Sequence, residues 1–186
     1  MKALLCYFAA LALGAGIWFL REDEMLIKYY LYRAEHETCG MMILHYSDRA
    51  IELAPNAVPA VARMFRSDGL AKRRRFTVAM ALHRADPVLA REVFRNALRR
   101  GQGWQVSLAL STMGLEKDHG ALDLALRLTD HPDAEVREEV AQYLALGSKE
   151  QCLPALKKLL LDKEESVRDQ ARQSIKTLTT PPRAAE

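Results

Sequence analysis

Two segments near the C-terminus repeat each other, and that repetition limits the possible folds more than any other feature. Asp130-His131-Pro132-Asp133-Ala134-Glu135-Val136-Arg137-Glu138-Glu139-Val140-Ala141 aligns with Asp162-Lys163-Glu164-Glu165-Ser166-Val167-Arg168-Asp169-Gln170-Ala171. The leading Asp residues lie 32 apart and the Val-Arg pairs 31 apart, so one turn residue has been dropped. Upstream, Ala121, Leu124 and Leu128 precede Leu153, Leu156 and Leu160 by 32 residues. Each unit therefore reads as a helix, a short Asp-containing turn and a second helix. One helix pair cannot bury its apolar face alone, so a fixed period of this length implies stacking of neighbours.

Within the second helices the apolar positions step by four: Val136, Val140 and Leu144, then Val167, Ala171 and Ile175. Moving back by 32 gives Trp104, Leu108 and Thr112, and once more Lys72, Phe76 and Met80. First helices are expected over 55–65, with Val58, Val61, Ala62 and Phe65, and over 87–99, with Leu89, Val93, Phe94 and Ala97. Pro55 and Pro87 suit a first helical turn. Nine Gly and seven Pro are few for a β-sandwich with tight turns. The expected fold is all-α: a short right-handed α-solenoid of about four helix-pair repeats over 55–178, preceded by a transmembrane helix. A flexible tail is expected over 179–186.

The segment Asp-x-x-x-x-x-Val-Arg-x-x-Val/Ala-Ala resembles the HEAT-like repeats, particularly the short variety first associated with phycobilisome lyases. The resemblance is strongest over 121–178 and weaker over 55–114. It implies a structural ladder between repeats, made by Asp130 or Asp133, Arg137, Asp162 and Arg168. The first two units depart from the pattern. Gln105 and Arg73 stand at the Arg position, Leu98 stands at the turn-Asp position, and Lys72 falls where Val136 is apolar. A second resemblance is local: Asp48-Arg49-Ala50-Ile51-Glu52-Leu53-Ala54-Pro55-Asn56 looks like the end of a tetratricopeptide unit. Its 34-residue period does not follow. Residues 22–54 are expected to form a juxtamembrane helical hairpin, with Met25, Leu26, Tyr29, Tyr30 and Tyr32 on its first helix.

At the N-terminus, residues 3–20 hold 16 apolar side chains, broken only by Gly14 and Gly16, and carry no charge. Eighteen helical residues rise about 27 Å, close to the hydrocarbon thickness of a bilayer. Residues 1–21 therefore read as an uncleaved anchor, with a cleaved signal peptide as the competing reading. The expected location is a single-pass position in a bacterial inner membrane. Lys2 on one flank and Arg21, Lys28 and Arg33 on the other leave the sidedness open, with a lean to the periplasm.

Chemistry-bearing residues are sparse. His36, Cys39 and His45 match no zinc spacing, and an odd three Cys exclude a disulfide scaffold. No Gly-rich phosphate loop, Gly-x-Ser-x-Gly or His-Glu-x-x-His occurs. No catalytic residue, cofactor or metal is expected, and the chain reads as a non-enzyme.

The net charge of +3 conceals a strong asymmetry. Residues 1–56 hold 5 basic and 7 acidic side chains, residues 57–103 hold 11 and 3, and residues 104–186 hold 11 and 14. The basic block supplies the candidate binding residues Arg66, Lys72, Arg73, Arg74, Arg75, Arg95, Arg99 and Arg100. These features predict a membrane-anchored scaffold, an accessory or assembly subunit that meets protein partners within a larger membrane complex. Alternatives are an acidic-lipid or nucleic-acid binder acting through 57–103, and, by the lyase resemblance, a bilin lyase or pigment chaperone. Nucleic acid is disfavoured, because the block is poor in aromatic side chains.

Overall fold

The computed structural model describes residues 58–67 and 69–180, apart from the side chain of residue 73, and positions 25–26, 29–30, 32–33, 36, 45, 48–49 and 52. The expected membrane span over 3–20, most of the hairpin over 22–54, Cys39 and the tail beyond 180 lie outside the described residues. Among the described residues, no helix is long and apolar enough to cross a membrane.

Eight helices have complete bounds: α1 Val58–Arg66, α2 Lys72–Ala85, α3 Pro87–Arg100, α4 Gly103–Leu115, α5 Leu122–Arg127, α6 Ala134–Leu144, α7 Lys149–Leu159 and α8 Glu165–Thr179. No strand is present among the described residues. Contacts divide the chain into two compact units, with the boundary between Leu89 and Ala90 inside α3.

The first unit contains the α1–α2 hairpin. α1 buries Val61, Ala62 and Phe65, and α2 buries every residue from Thr77 to Leu82. The two helices pack together. At the exposed C-terminal end of α2, Arg84 Nη1 meets Asp48 Oδ2 at 2.6 Å. Asp86 then turns the chain into α3, its Oδ1 accepting the amides of Val88 and Leu89 at 3.1 and 2.9 Å. Pro87 follows as the first helical residue, where its missing N–H costs nothing.

In the second unit α4, α6 and α8 stack as second helices of consecutive repeats, with α5 against α6 and α7 against α8. Their core is continuous. Val106, Ala109, Leu110 and Met113 of α4 give way to Val136, Val140, Ala141 and Leu144 of α6, then to Val167 and Ala171 of α8. Tyr143 is buried beneath the α4–α5 connection. Its hydroxyl donates to the Asp118 carbonyl and accepts the Ala121 amide at 3.2 Å. Lys117, in that connection, sits in the left-handed region at φ 53°. A non-Gly residue there is a strained conformer that needs support of this kind.

The expected 32-residue register is corrected by these helices. The caps of the second helices, Ala71, Gln102, Asp133 and Glu164, follow at uniform intervals of 31 residues. Upstream of α6 the core position therefore shifts by one. Gln105, Ala109 and Met113 are buried where Trp104, Leu108 and Thr112 were expected, and only Thr112 of those three is also buried. Lys72 and Phe76 of α2 are exposed, whereas Val78 and Leu82 are buried.

The cause lies in the turn. Asp162 Oδ1 accepts the Glu164 amide two residues on, at 2.9 Å, and His131 Nδ1 meets the Asp133 amide two residues on, at 3.2 Å. The counterpart of Asp162 is thus His131, one residue after the Asp130 that the alignment pairs with it. First helices keep the same interval: Ala90, Ala121 and Cys152 are fully buried, as are Phe94, Ala125 and Leu156.

Candidate interaction surfaces

The ladder implied by the repeat pattern forms at one rung. Arg137 Nε and Nη2 donate to Asp162 Oδ2 and Oδ1 at 2.6 and 2.8 Å, with 6% and 9% of the two side chains exposed. Arg137 Nη1 also donates to the carbonyls of His131 and Pro132 at 2.7 and 3.0 Å. Arg168 repeats that second half, donating to the carbonyls of Asp162 and Lys163 at 2.7 and 2.9 Å. The remaining ladder candidates serve elsewhere. Asp133 caps α6 by accepting the Glu135 amide at 3.0 Å, and Asp130 pairs with Lys158 in the open. Upstream the Arg position holds Gln105, whose side chain closes a capping box with Gln102. The Arg137–Asp162 rung lines an open cleft of about 430 Å³ between the two turns.

The 31-residue step also organises the outer face of the second helices. Leu108, Glu139 and Gln170 occupy one equivalent row, and Leu115, Leu146 and Thr177 another; none of the six is buried. The first row passes from apolar Leu108 on α4 to acidic Glu139 on α6 and the Gln170 amide on α8, while the second begins with Leu115, 57% exposed at the end of α4. Glu139 is the unusual member. Its Oε2 is buried without a hydrogen-bond partner. Burial, with Glu138 and Glu135 nearby, pushes its carboxyl up to about 7, against the pull of a hydrogen bond from Ser111. The 32-residue register hid this row, because it set Trp104, Leu108 and Thr112 in the core.

The basic block is partly answered by acids outside it. Arg84 pairs with Asp48, Arg91 Nε with Asp118 at 2.8 Å, and Arg95 with Asp123 at 3.4 Å. Arg95, expected in the binding set, is therefore held by the next first helix. The other expected residues fall in two places, described separately. In the second unit, Arg99 and Arg100 are exposed in the last turn of α3, where cations suit the helix dipole.

In the first unit, Arg66 ends α1 and Lys72 begins α2, both exposed. Arg74 and Arg75 are half-buried, and Arg75 Nε donates to the Leu70 carbonyl at 3.1 Å. Arg73 belongs to the same first turn, and its side chain lies outside the description. α2 thus opens on four cations, with no acidic residue in its first turn and no side-chain cap on Ala71. The dipole disfavours cations there, by about 0.3–1 kcal/mol each. The other helices with described starts differ. Asp86, Gln102, Asp133 and Ser148 cap α3, α4, α6 and α7, and α5 and α8 carry Asp123 and Glu165 in their first turns.

Among the described residues no His, Cys, Asp or Glu cluster could hold a metal. His36 Nδ1 lies 2.8 Å from the Tyr32 carbonyl. Cys152 is a fully buried thiol, its pKa raised by burial. It packs as a small core residue.

These features define an all-helical repeat solenoid. The family profile described as HEAT repeats matches residues 92–176, a little under half of the chain. Among solved structures, a designed armadillo repeat protein in complex with a (KR)4 peptide is similar, with TM-score 0.51 and 15% identity over 86% of this chain and 91% of that one. Another designed armadillo repeat protein gives TM-score 0.48 and 16% identity over 80% of each chain. A comparison with curated proteins finds no match. The lyase-type variety of the repeat is not distinguished by these similarities.

Proposed function

We propose that this chain is a membrane-anchored interaction scaffold, a non-catalytic accessory or assembly subunit that docks protein partners within a larger membrane complex. The observation that carries the reading is the outer face of α4, α6 and α8. Three helices at a fixed interval present matched rows of side chains, with exposed Leu115 at one edge and Glu135 and Glu139 at the centre. Regular helical arrays of this kind offer extended binding surfaces. The similar designed protein holds a peptide, which supplies a precedent for the architecture and says nothing of the partner's sequence. Anchoring is supported by the uncharged apolar run over 3–20. In this arrangement Lys2 marks the cytoplasmic flank of the apolar run and the main domain is periplasmic.

Gentle membrane extraction followed by identification of co-purifying proteins tests the proposal. A specific partner should be retained by the unaltered chain and lost from Leu115→Asp and Glu135→Lys variants that keep native helicity. Recovery of a soluble, partner-free monomer, or of the same partners with both variants, would sink it.

A further inference from the structure

We infer that the partner docks along the outer face of α6 as an extended basic segment, with Lys or Arg at alternate positions facing Glu135 and Glu139. That assignment rests on the docking reading above and names the chemistry this face receives. Among the described residues, the ion pairs of the second unit all engage an aspartate. Glu135, Glu138 and Glu139 enter none of them. Glu135 suits the first turn of α6 through the helix dipole, but Glu139 sits mid-helix, where the dipole gives it no reason to be. Ser111 of α4 hydrogen-bonds its carboxyl, and Oε2 is enclosed without a partner. Burial and the two neighbouring glutamates disfavour its charge, a penalty that a cation from a partner would relieve.

The rows through these two acids define the occupant further. Across α4, α6 and α8 one runs Trp104, Glu135 and Ser166, the other Leu108, Glu139 and Gln170; neither contains a cation, and none of the six residues is buried. Trp104 and Leu108 give the aliphatic stems of Lys or Arg an apolar wall. Four helical residues advance about 6 Å and two extended residues about 6.6 Å, so cations at alternate positions keep pace with Glu135 and Glu139. A single metal ion is the wrong occupant, because no acidic group among the described residues is placed to hold one.

The test uses the full chain in detergent with a fluorescent peptide carrying Arg at alternate positions, and a Glu-bearing counterpart as control. Fluorescence anisotropy reads binding. The basic peptide alone should bind, more weakly as salt rises. Glu135→Gln should lower its affinity about threefold and Glu139→Gln about tenfold. The charged groups around Glu139 are Glu135 and Glu138 on its own helix and the Asp169–Arg172 pair on α8, while α4 has none. Glu139 gains its charge near pH 7, so affinity should rise between about pH 6 and about pH 8, and Glu139→Gln should remove most of that rise. The same variant should be at least as stable as the unaltered chain at alkaline pH, so its lost affinity is not lost folding. Equal binding of the two peptides, or unchanged affinity in both variants, would overturn the assignment. If the co-purified partner is then still lost with Leu115→Asp, the docking face stands and only its basic occupant falls.

Discussion

Arg137 of one repeat holds Asp162 of the next through two parallel hydrogen bonds of 2.6 and 2.8 Å, in a site almost closed to water. The same guanidinium ties down two carbonyls of its own turn. Asp162 in turn caps the segment that starts α8, accepting the Glu164 amide. One ion pair therefore fixes three things together: the turn before α6, the turn before α8 and the spacing between them. Planar, five-donor geometry makes arginine the residue able to do this, and lysine could not satisfy all four acceptors.

Removing one partner of this rung should be expensive. Arg137→Ala or Asp162→Ala strands a desolvated charge, and each is expected to lower unfolding free energy by on the order of 3 kcal/mol in urea titrations. Arg137→Met combined with Asp162→Leu should recover much of that loss, because neither charge is left buried alone. Acid gives a second check. Arg137 holds the Asp162 carboxyl below its ordinary range, so the native state binds this proton less readily than the unfolded chain. The stabilisation is present above the ordinary carboxylate range and is lost as pH falls through the lowered folded value. The acid limb of the stability curve should flatten in the double variant.

The repeat was legible in the sequence because Val136-Arg137 and Val167-Arg168 carry a structural task with strict residue requirements. The turn Asp was misplaced by one residue for a physical reason. Its backbone-capping role passes to His131 in the preceding repeat, whose ring nitrogen does what the carboxylate does, and sequence matching does not equate the two. That slip hid the row containing Leu108 and Glu139. Charge was legible as a total over 57–103 but not as a surface, since the partners of Arg84, Arg91 and Arg95 lie 36, 27 and 28 residues away.

Glu139 should make the domain more stable in mild acid than in mild base. Its carboxyl is raised from 4.5 to about 7, so between those values the folded chain holds a proton that the unfolded chain has released. Its contribution is fully present below the unfolded value and fades as pH rises through about 7. Glu139→Gln should remove this slope and raise stability at alkaline pH, by roughly 1–2 kcal/mol for a partly exposed group. Urea unfolding at about pH 5 and about pH 8 measures it. An unchanged slope would mean that Glu139 is solvated in solution.

Gly147, after α6, leaves room for no side chain. A Cβ there would collide with the Cys152 sulfur and come within 3.3 Å of Leu122 Cδ2. Gly147→Ala is therefore expected to cost about 1–3 kcal/mol through overpacking. Cys152→Ala removes the obstructing atom, so the double variant should be less damaged than the two single losses combined. Thermal unfolding of the four proteins gives the coupling directly.

Thr112 offers a stabilising substitution, and Leu108, one turn earlier, tests the helix register. It is fully buried on α4, and its hydroxyl oxygen has no hydrogen-bond partner. A buried polar atom in that position costs about 1–3 kcal/mol, while its methyl group packs well. Thr112→Val keeps the shape and deletes the unsatisfied hydroxyl, so it should raise stability by about 1 kcal/mol. Leu108 is the internal control, since it lies half-buried on the outer face one turn earlier. Leu108→Ser should cost well under the 2–5 kcal/mol typical of a buried leucine truncated in the core. Leu110→Ala, at 0% exposure, should reach that range. If Leu108 instead proves as costly as Leu110, α4 is rotated towards the 32-residue phase, and the rows assigned to the outer face of the second helices would have to be redrawn.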